Sequence, residues 1–266
     1  TWDEYVEAAR KLHEADPKAY LTNDVGDAGF TTSLIWQAGG RPYQVDGTDV
    51  TIDFTDAGSQ RFADTWQTMI DDELVAPVGS WSDEWYQGLS DGSIASLVIG
   101  AWMRGNLESS VPDASGDWAV APMPQWEDGG QVTAENGGSS LAIPAASENA
   151  DLAWAFLEYA TVGDGIATRV DEGAFPATTA ELEDPEFREQ EFEYFGGQKV
   201  NEVLADSASQ VAEGWQYLPF QVYANSIFND TVGQAYVSGT TLTDGLAAWQ
   251  EQSATFGNDQ GFAVNQ

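Results

Sequence analysis

Trp102 follows Ser93-Ile94-Ala95-Ser96-Leu97-Val98-Ile99-Gly100, an apolar run that reads as a buried strand, and Arg104 lies two residues further on. Ligands in α/β chains are held outside the carboxyl ends of strands, so both positions are candidates for binding. An indole there offers a flat apolar face. A guanidinium offers a fork of donors for hydroxyls or an acid, with a surface ion pair as the plain alternative. Trp215-Gln216-Tyr217-Leu218-Pro219-Phe220-Gln221-Val222-Tyr223 crowds aromatics and amides into an irregular stretch before a helix, the composition of a binding wall. Flat apolar surfaces for C–H faces and planar polar groups for vicinal hydroxyls are what carbohydrate recognition needs. The chain's 11 Trp, 9 Tyr and 12 Phe supply the first ingredient in excess, so most of them must be core. Trp66, Trp154 and Trp249 sit inside helical patterns and read as structural, as does Trp36.

The elements that position these residues follow from hydrophobic period and caps. Thr1-Trp2-Asp3-Glu4 is a capping box, after which Trp2, Tyr5, Val6, Ala9 and Leu12 recur at helical spacing up to Asp16-Pro17. Asp27 stands before a second helix that starts near Ala28 and halts at Gly39-Gly40, which makes Asp27 an N-cap candidate. Pro42–Val45 and Val50–Phe54 flank Asp46-Gly47 as a β-hairpin. Asp46-Gly47-Thr48-Asp49 lacks the spaced ligands and terminal glutamate of a calcium loop. Helices are expected over about 56–72, 85–89 and 149–161, and strands over 93–100, 118–122 and 139–143. Beyond Phe175-Pro176-Ala177, an acidic helical face covers 181–193. Helices then run over 198–208, 222–237 and 243–254. Strands alternating with helices give an α/β chain with a mixed sheet.

Composition narrows the chemistry. With 266 residues, 9 Lys+Arg and 44 Asp+Glu, the net charge is −35, which repels phosphate and disfavours nucleic acid and anionic membrane as partners. The chain has no cysteine and a single histidine, His13, so neither a thiolate nucleophile nor a Cys- or multi-His metal site is available. No cofactor motif is present, whether Walker A, G-x-G-x-x-G or G-x-S-x-G. No apolar run approaches the roughly 20 residues that span a bilayer. The chain opens at Thr1 with no Met or signal segment, so an upstream segment is expected to be missing.

Four stretches resemble the solute-binding proteins of ABC sugar importers. Thr1-Trp2-Asp3-Glu4-Tyr5 with Ala9 and Leu12 is similar to that family's "TW-E" helix. Phe30-Thr31-Thr32-Ser33-Leu34-Ile35 with Gly39-Gly40 is similar to its helix ending in a double glycine. Gly92-Ser93-Ile94-Ala95 with Ile99-Gly100-Ala101-Trp102 resembles its "G-x-A-x-x-x-x-G-x-W" strand and turn. Gly137-Gly138-Ser139-Ser140-Leu141-Ala142-Ile143-Pro144, followed by Ala153-Trp154-Ala155-Phe156-Leu157, resembles the strand and helix that cross between lobes. The resemblance implies a periplasmic-binding-protein-like α/β fold of two lobes joined by a hinge (type II). Residues 1–136 and 188–266 would form the C-terminal lobe and 137–187 an excursion into the N-terminal lobe, whose first segment is absent. It further implies that Trp102 stacks on sugar and that Asp27 and Phe30 lie on the cleft wall. Gly138 would serve as a hinge or close-approach glycine, with a plain turn as the alternative. Phe175 would stand in the inter-lobe loop, and Trp215, Tyr217 and Tyr223 on a wall. The implied partners are an oligosaccharide and ABC transporter permease subunits. The implied setting is extracellular, a monomeric lipoprotein of a Gram-positive cell membrane or a periplasmic protein.

Two other classes share the aromatic and carboxylate ingredients. A glycoside hydrolase needs two carboxylates about 5–10 Å apart, and none of the acids here sits in a recognisable catalytic motif. A stand-alone carbohydrate-binding module would be a small β-sandwich, against the long amphipathic helices.

Overall fold

A computed structural model describes residues 1–23 and 27–266. Helix α1 (Trp2–Ala15) begins as its sequence dictates: Thr1 Oγ1 accepts from the Glu4 amide at 3.3 Å, and the Glu4 carboxylate takes the Thr1 amine at 2.8 Å. It buries Trp2, Val6 and Ala9. Helix α2 (Ala28–Gln37) is apolar around nearly its whole circumference and is buried accordingly. Most of its polar side chains find protein partners, although Thr31 Oγ1 and Trp36 Nε1 are buried without one. The Gln37 amide donates to the carbonyls of Pro124 and Val132 at 2.7 and 2.8 Å, while its oxygen accepts from Trp2 Nε1 at 2.8 Å.

The hairpin forms as expected, β1 (Tyr43–Asp46) pairing antiparallel with β2 (Asp49–Ile52) across a turn with Gly47 at φ 62°. The C-terminal β3 (Ala263–Asn265) adds in parallel to β2, so the sheet order is β1-β2-β3. Helix α3 (Ala57–Asp71) is capped by Asp56 and starts hard against the double glycine after α2: a Cβ on Gly58 would lie 2.1 Å from the Gly40 amide nitrogen, and one on Gly40 would lie 2.7 Å from Asp56 Oδ1. Then follow α4 (Asp83–Asp91), α5 (Met103–Ser110), α6 (Ala150–Thr161), α7 (Ile166–Asp171), α8 (Thr179–Leu182), α9 (Pro185–Arg188), α10 (Val200–Ser209), α11 (Gln221–Ser226), α12 (Gln234–Val237) and α13 (Leu242–Asp259).

The chain divides into two compact units. Unit 1 comprises residues 1–98, 123–136 and 210–266; unit 2 comprises 99–122 and 137–209. This division groups 99–122 and 188–209 with 137–187. The core of unit 1 is aromatic: Trp66 meets Trp2 edge-on and Phe30 at 4.8 Å, and Trp249 stacks on Phe54 while donating to the Ala224 carbonyl at 2.7 Å. Unit 2 has a smaller buried set around α5 and α10, including Met103, Leu107, Phe195 and Val200.

Several sequence expectations are corrected. Residues 93–100 form no ladder beyond a single parallel bridge between Ile94 and Tyr20. Among the described residues, 118–122 and 139–143 likewise belong to no strand ladder. An apolar run supplies the conformation, but a strand also needs a neighbour for its amides. At Val120 the Gln198 side chain takes that place, accepting from the amide at 2.8 Å and donating to the carbonyl at 2.6 Å. The expected 222–237 helix breaks into α11 and α12 around turns at Asn229–Thr231, and 181–193 breaks at Asp184-Pro185, where the ring cannot continue a helix. Thr241, not Thr243, caps α13. Trp154 is exposed, not core.

Two outcomes follow. Gln37→Leu leaves the Pro124 carbonyl and the Trp2 indole N–H without partners, the Val132 carbonyl keeping its bond from Gln125, so it should destabilise the protein by about 2–4 kcal/mol in chemical denaturation; an unchanged midpoint would show that α2 is not held this way. Burial pushes the Tyr43 phenol well above its ordinary range, against a hydrogen bond with Gln221 that pulls it down, and burial also raises Tyr5 and Tyr194. A raised folded-state pKa keeps its stability below the unfolded value and loses it as pH climbs past about 10, where only the unfolded chain releases the proton. Stability should therefore fall above about pH 10 at up to roughly 1.4 kcal/mol per pH unit for each such tyrosine. Tyr43→Phe should flatten that slope; the same slope in the variant would put the cause elsewhere.

Candidate functional site

In unit 1 the N-terminus of α2 collects polar oxygens. Asp27 caps the helix, its Oδ1 accepting from the Phe30 amide at 3.1 Å. A Cβ on Gly29 would lie 3.1 Å from that oxygen and 3.3 Å from Asn136 Oδ1, so the glycine leaves both oxygens one shared space. Ser33 Oγ donates to the Glu135 carbonyl at 2.6 Å, tying residues 135–136 alongside α2. The same segment is fixed from its other side, where Thr133 bridges in parallel to Val211. That pairing delivers the 213–217 stretch, which Arg41 fastens by donating from Nε to the Glu213 carbonyl at 2.8 Å. Trp36, Trp215 and Tyr217 then form a cluster with ring centroids 5.3–5.6 Å apart. Trp36 is buried, Trp215 half-buried, and Tyr217 is 38% exposed with its hydroxyl donating to Glu135 Oε2 at 2.5 Å. The result is an aromatic surface bordered by carboxylate and amide groups.

In unit 2 Trp102 stands directly before α5 and is half-buried. Gly137 passes over its indole: a Cβ there would lie 2.8 Å from Trp102 Nε1, and φ is 99°, so both space and backbone call for glycine. Gly138, at φ 105°, is exposed with open space around it. Arg104 is only 8% exposed. Its Nη1 meets Glu108 at 3.0 Å and its guanidinium lies 4.4 Å over the Phe192 ring. Phe175 is half-buried, 6.3 Å from Phe187.

The sequence candidates are thus sorted. Trp215 and Tyr217 come together near Asp27's helix, and Trp102 and Gly137–Gly138 come together in unit 2. Phe30 turns into the core against Phe62 and Trp66 and is 5% exposed. Tyr223 stacks on Phe256 at 3.8 Å and lines a separate shallow groove with Pro219, Phe220 and Phe262. Sequence reasoning missed Ser33, Glu135 and Asn136 and the place of Trp36 in the cluster. The only cue was Glu135-Asn136 standing immediately before Gly137-Gly138. Among the described residues no cluster of metal-ligating side chains is present.

An α/β chain folded as two compact units, each with part-exposed aromatic side chains, has the architecture of the two-lobed binding-protein fold. The chain belongs to the bacterial extracellular solute-binding protein family, whose model matches residues 1–162. It is similar over its entire length to the ABC transporter associated binding protein from B. animalis subsp. lactis Bl-04, solved in complex with beta-1,6-galactobiose. Identity is 45%, the TM-score is 0.93, and the match covers 68% of that chain. The galacto-N-biose-/lacto-N-biose I-binding protein of Bifidobacterium longum shares the fold at 24% identity and a TM-score of 0.84, over 99% of this chain and 65% of that one. The arabinooligosaccharide-binding protein of Halalkalibacterium halodurans is 27% identical over 88% of this chain and 54% of its own length. The chain spans about half the length of the curated relatives it matches.

Arg104 provides a test of roles. Arg104→Met removes an ion pair and a ring contact from a buried position, and should destabilise unit 2 by about 1–2 kcal/mol while leaving ligand affinity within a few-fold. Unchanged stability with weakened sugar binding would instead put the guanidinium on the ligand.

Proposed function

We propose that the full-length protein binds a short oligosaccharide outside the cell and hands it intact to the permease of an ABC importer. The observation that carries this reading is the Trp36/Trp215/Tyr217 cluster edged by Asp27, Glu135 and Asn136. It occurs in a chain 45% identical throughout to a binding protein complexed with beta-1,6-galactobiose. Trp102 supplies a stacking face, with Gly137 and Gly138 giving room for backbone approach. Trp215, Tyr217 and Asp27 contribute further stacking and hydroxyl contacts. Within unit 2 Arg104 holds the helix that follows Trp102 and Phe175 packs near Phe187, while in unit 1 Phe30 anchors the start of α2 and Tyr223 lines its own groove.

In this reading residues 1–136 and 188–266 belong to the C-terminal lobe and 137–187 to the N-terminal lobe. Ligand shifts an open–closed equilibrium by its differential affinity for the closed state. The protein is a monomer held at the membrane by a lipid-modified N-terminus, and it performs no catalysis. Its net charge of −35 suits an exported, water-facing surface.

Calorimetric titration of the full-length protein with beta-1,6-galactobiose, lactose and arabinooligosaccharides should find one saturable ligand, recovered chemically intact. Small-angle scattering should show a smaller radius of gyration with that sugar bound. Trp102→Ala should weaken binding roughly tenfold to a hundredfold, a stacked aromatic being worth on the order of 1–3 kcal/mol, with the melting temperature held. Shortened sugar would make the protein a hydrolase, and binding without compaction would leave an accessory module.

A further inference from the structure

Trp81 is the one aromatic side chain among the described residues that stands at a positive φ, 70°. The other non-glycine residue there, Glu73 at φ 55°, has a local reason. It ends α3, its amide donating to the Ile70 carbonyl and the next amide, of Leu74, to the Met69 carbonyl at 2.8 Å. Trp81 ends no helix. It takes the third position of a turn in which the Ser82 amide meets the Gly79 carbonyl at 3.4 Å, and Ser80 before it has no positive φ. That is the type II pattern, whose third position belongs to Gly or Asn because a Cβ crowds the backbone there. Trp81 is also 47% exposed, whereas its neighbour Trp85, with ring centroids 5.0 Å apart, is 1% exposed. Neither the preference of the turn nor full burial accounts for an indole at this position.

The surroundings hold the turn and do not let it relax. Buried Asn23 donates to the Val78 carbonyl at 3.3 Å and to Ser80 Oγ at 3.0 Å, and accepts from Trp85 Nε1 at 2.6 Å. On the other side Ser82 Oγ donates to the Gly79 carbonyl at 2.8 Å while accepting from the Trp85 amide as the cap of α4. Strain that persists because its surroundings over-determine it clusters at ligand-binding sites. Asn23 stands four positions before Asp27, so the anchor of the turn lies at most about 14 Å along the chain from the cap of α2. The flanking Ser80, Ser82, Asp83 and Glu84 bring hydroxyls and carboxylates and no cation. Such a setting repels anions and suits a neutral polyhydroxylated ring with an apolar C–H face.

We infer that Trp81 is a stacking platform for a sugar ring of the bound oligosaccharide, held out in a strained turn by Asn23 and Ser82. This rests on the reading of the protein as an oligosaccharide receptor and adds a contact residue to it.

The test titrates the full-length protein and its variants with beta-1,6-galactobiose, lactose and arabinooligosaccharides, and melts each without sugar. Trp81→Gly supplies the residue the turn prefers, so its melting temperature should hold or rise while affinity falls about tenfold or more. Trp81→Tyr keeps a flat ring and should bind within about fivefold of the wild type. In the wild type, saturating sugar should slow hydroxyl-radical oxidation of Trp81. Unchanged affinity in Trp81→Gly, or equal oxidation with and without sugar, would overturn the inference. A melting temperature that drops in Trp81→Gly would also overturn it, by making the indole part of the fold. A wild-type protein that binds none of these sugars would instead sink the receptor reading itself, and this contact with it.

Discussion

The burial of α2 is the constraint on which the rest of unit 1 depends. A ten-residue helix of Ala-Gly-Phe-Thr-Thr-Ser-Leu-Ile-Trp-Gln has no face to give to water, so its polar side chains look for protein partners, which all but Thr31 Oγ1 and Trp36 Nε1 find. Thr32 returns its hydroxyl to the Ala28 carbonyl, Ser33 reaches the Glu135 carbonyl, and Gln37 joins α1 to the 123–132 segment through three hydrogen bonds. These bonds are directional where apolar packing is not, and they fix the register of three sequence-distant segments. Asn136 and Glu135 reach the N-terminus of α2 because Ser33 and Gln37 hold the strand-like 123–136 stretch along the helix. The aromatic surface beside α2 is therefore a by-product of satisfying a buried helix.

How much of this was legible in the sequence depended on the range of the interaction. The capping box at Thr1, the Asp46-Gly47 hairpin and the cap at Asp27 are set within a few residues, and the structure reproduces them. Strands at 93–100, 118–122 and 139–143 needed distant partners that an apolar run cannot specify. Trp66 and Trp154 carry the same local signature, a tryptophan within a helical apolar pattern, yet one is fully buried and the other is bare. Nothing within a few residues distinguishes them, since the difference lies in what packs above each helix. Glu135 escaped notice for the same reason: its neighbours Ser33 and Tyr217 lie 102 and 82 positions away.

The acidic excess has a local use as well as a global one. Asp27, Asp56 and Asp184 accept from amides at the starts of α2, α3 and α9, and Glu4 closes the capping box of α1. Helix N-termini carry partial positive charge and unpaired N–H groups, so each carboxylate finds there a stabilising site that requires no cation. With only nine lysines and arginines, caps are the cheaper counterpart. The basic residues are then free for positions where geometry matters: Arg41 holds the Trp36 carbonyl of α2, the Gly40 carbonyl beyond it and the Glu213 carbonyl, and Arg104 sits over Phe192.

The two units differ in how far their apolar surface is closed. In unit 1 a single aromatic cluster runs from Trp2 through Trp66 to Trp249, and the exposed large side chains are scattered ones such as Val222 and Val237. In unit 2 burial is confined to the neighbourhood of α5, the 187–195 stretch and α10, while α6 contributes apolar side chains to no core at all. At about 25 cal/mol for each Å² removed from water, bare Leu, Trp, Phe and Tyr side chains forgo several kcal/mol that their sequence is built to supply. A sequence that spends apolar residues on a helix it never buries is locally inconsistent, and natural sequences are consistent across levels. In unit 2 the flanks of α6 stand apart from the buried set around α5 and α10, and so form an exposed apolar surface of the kind that marks a site of interaction.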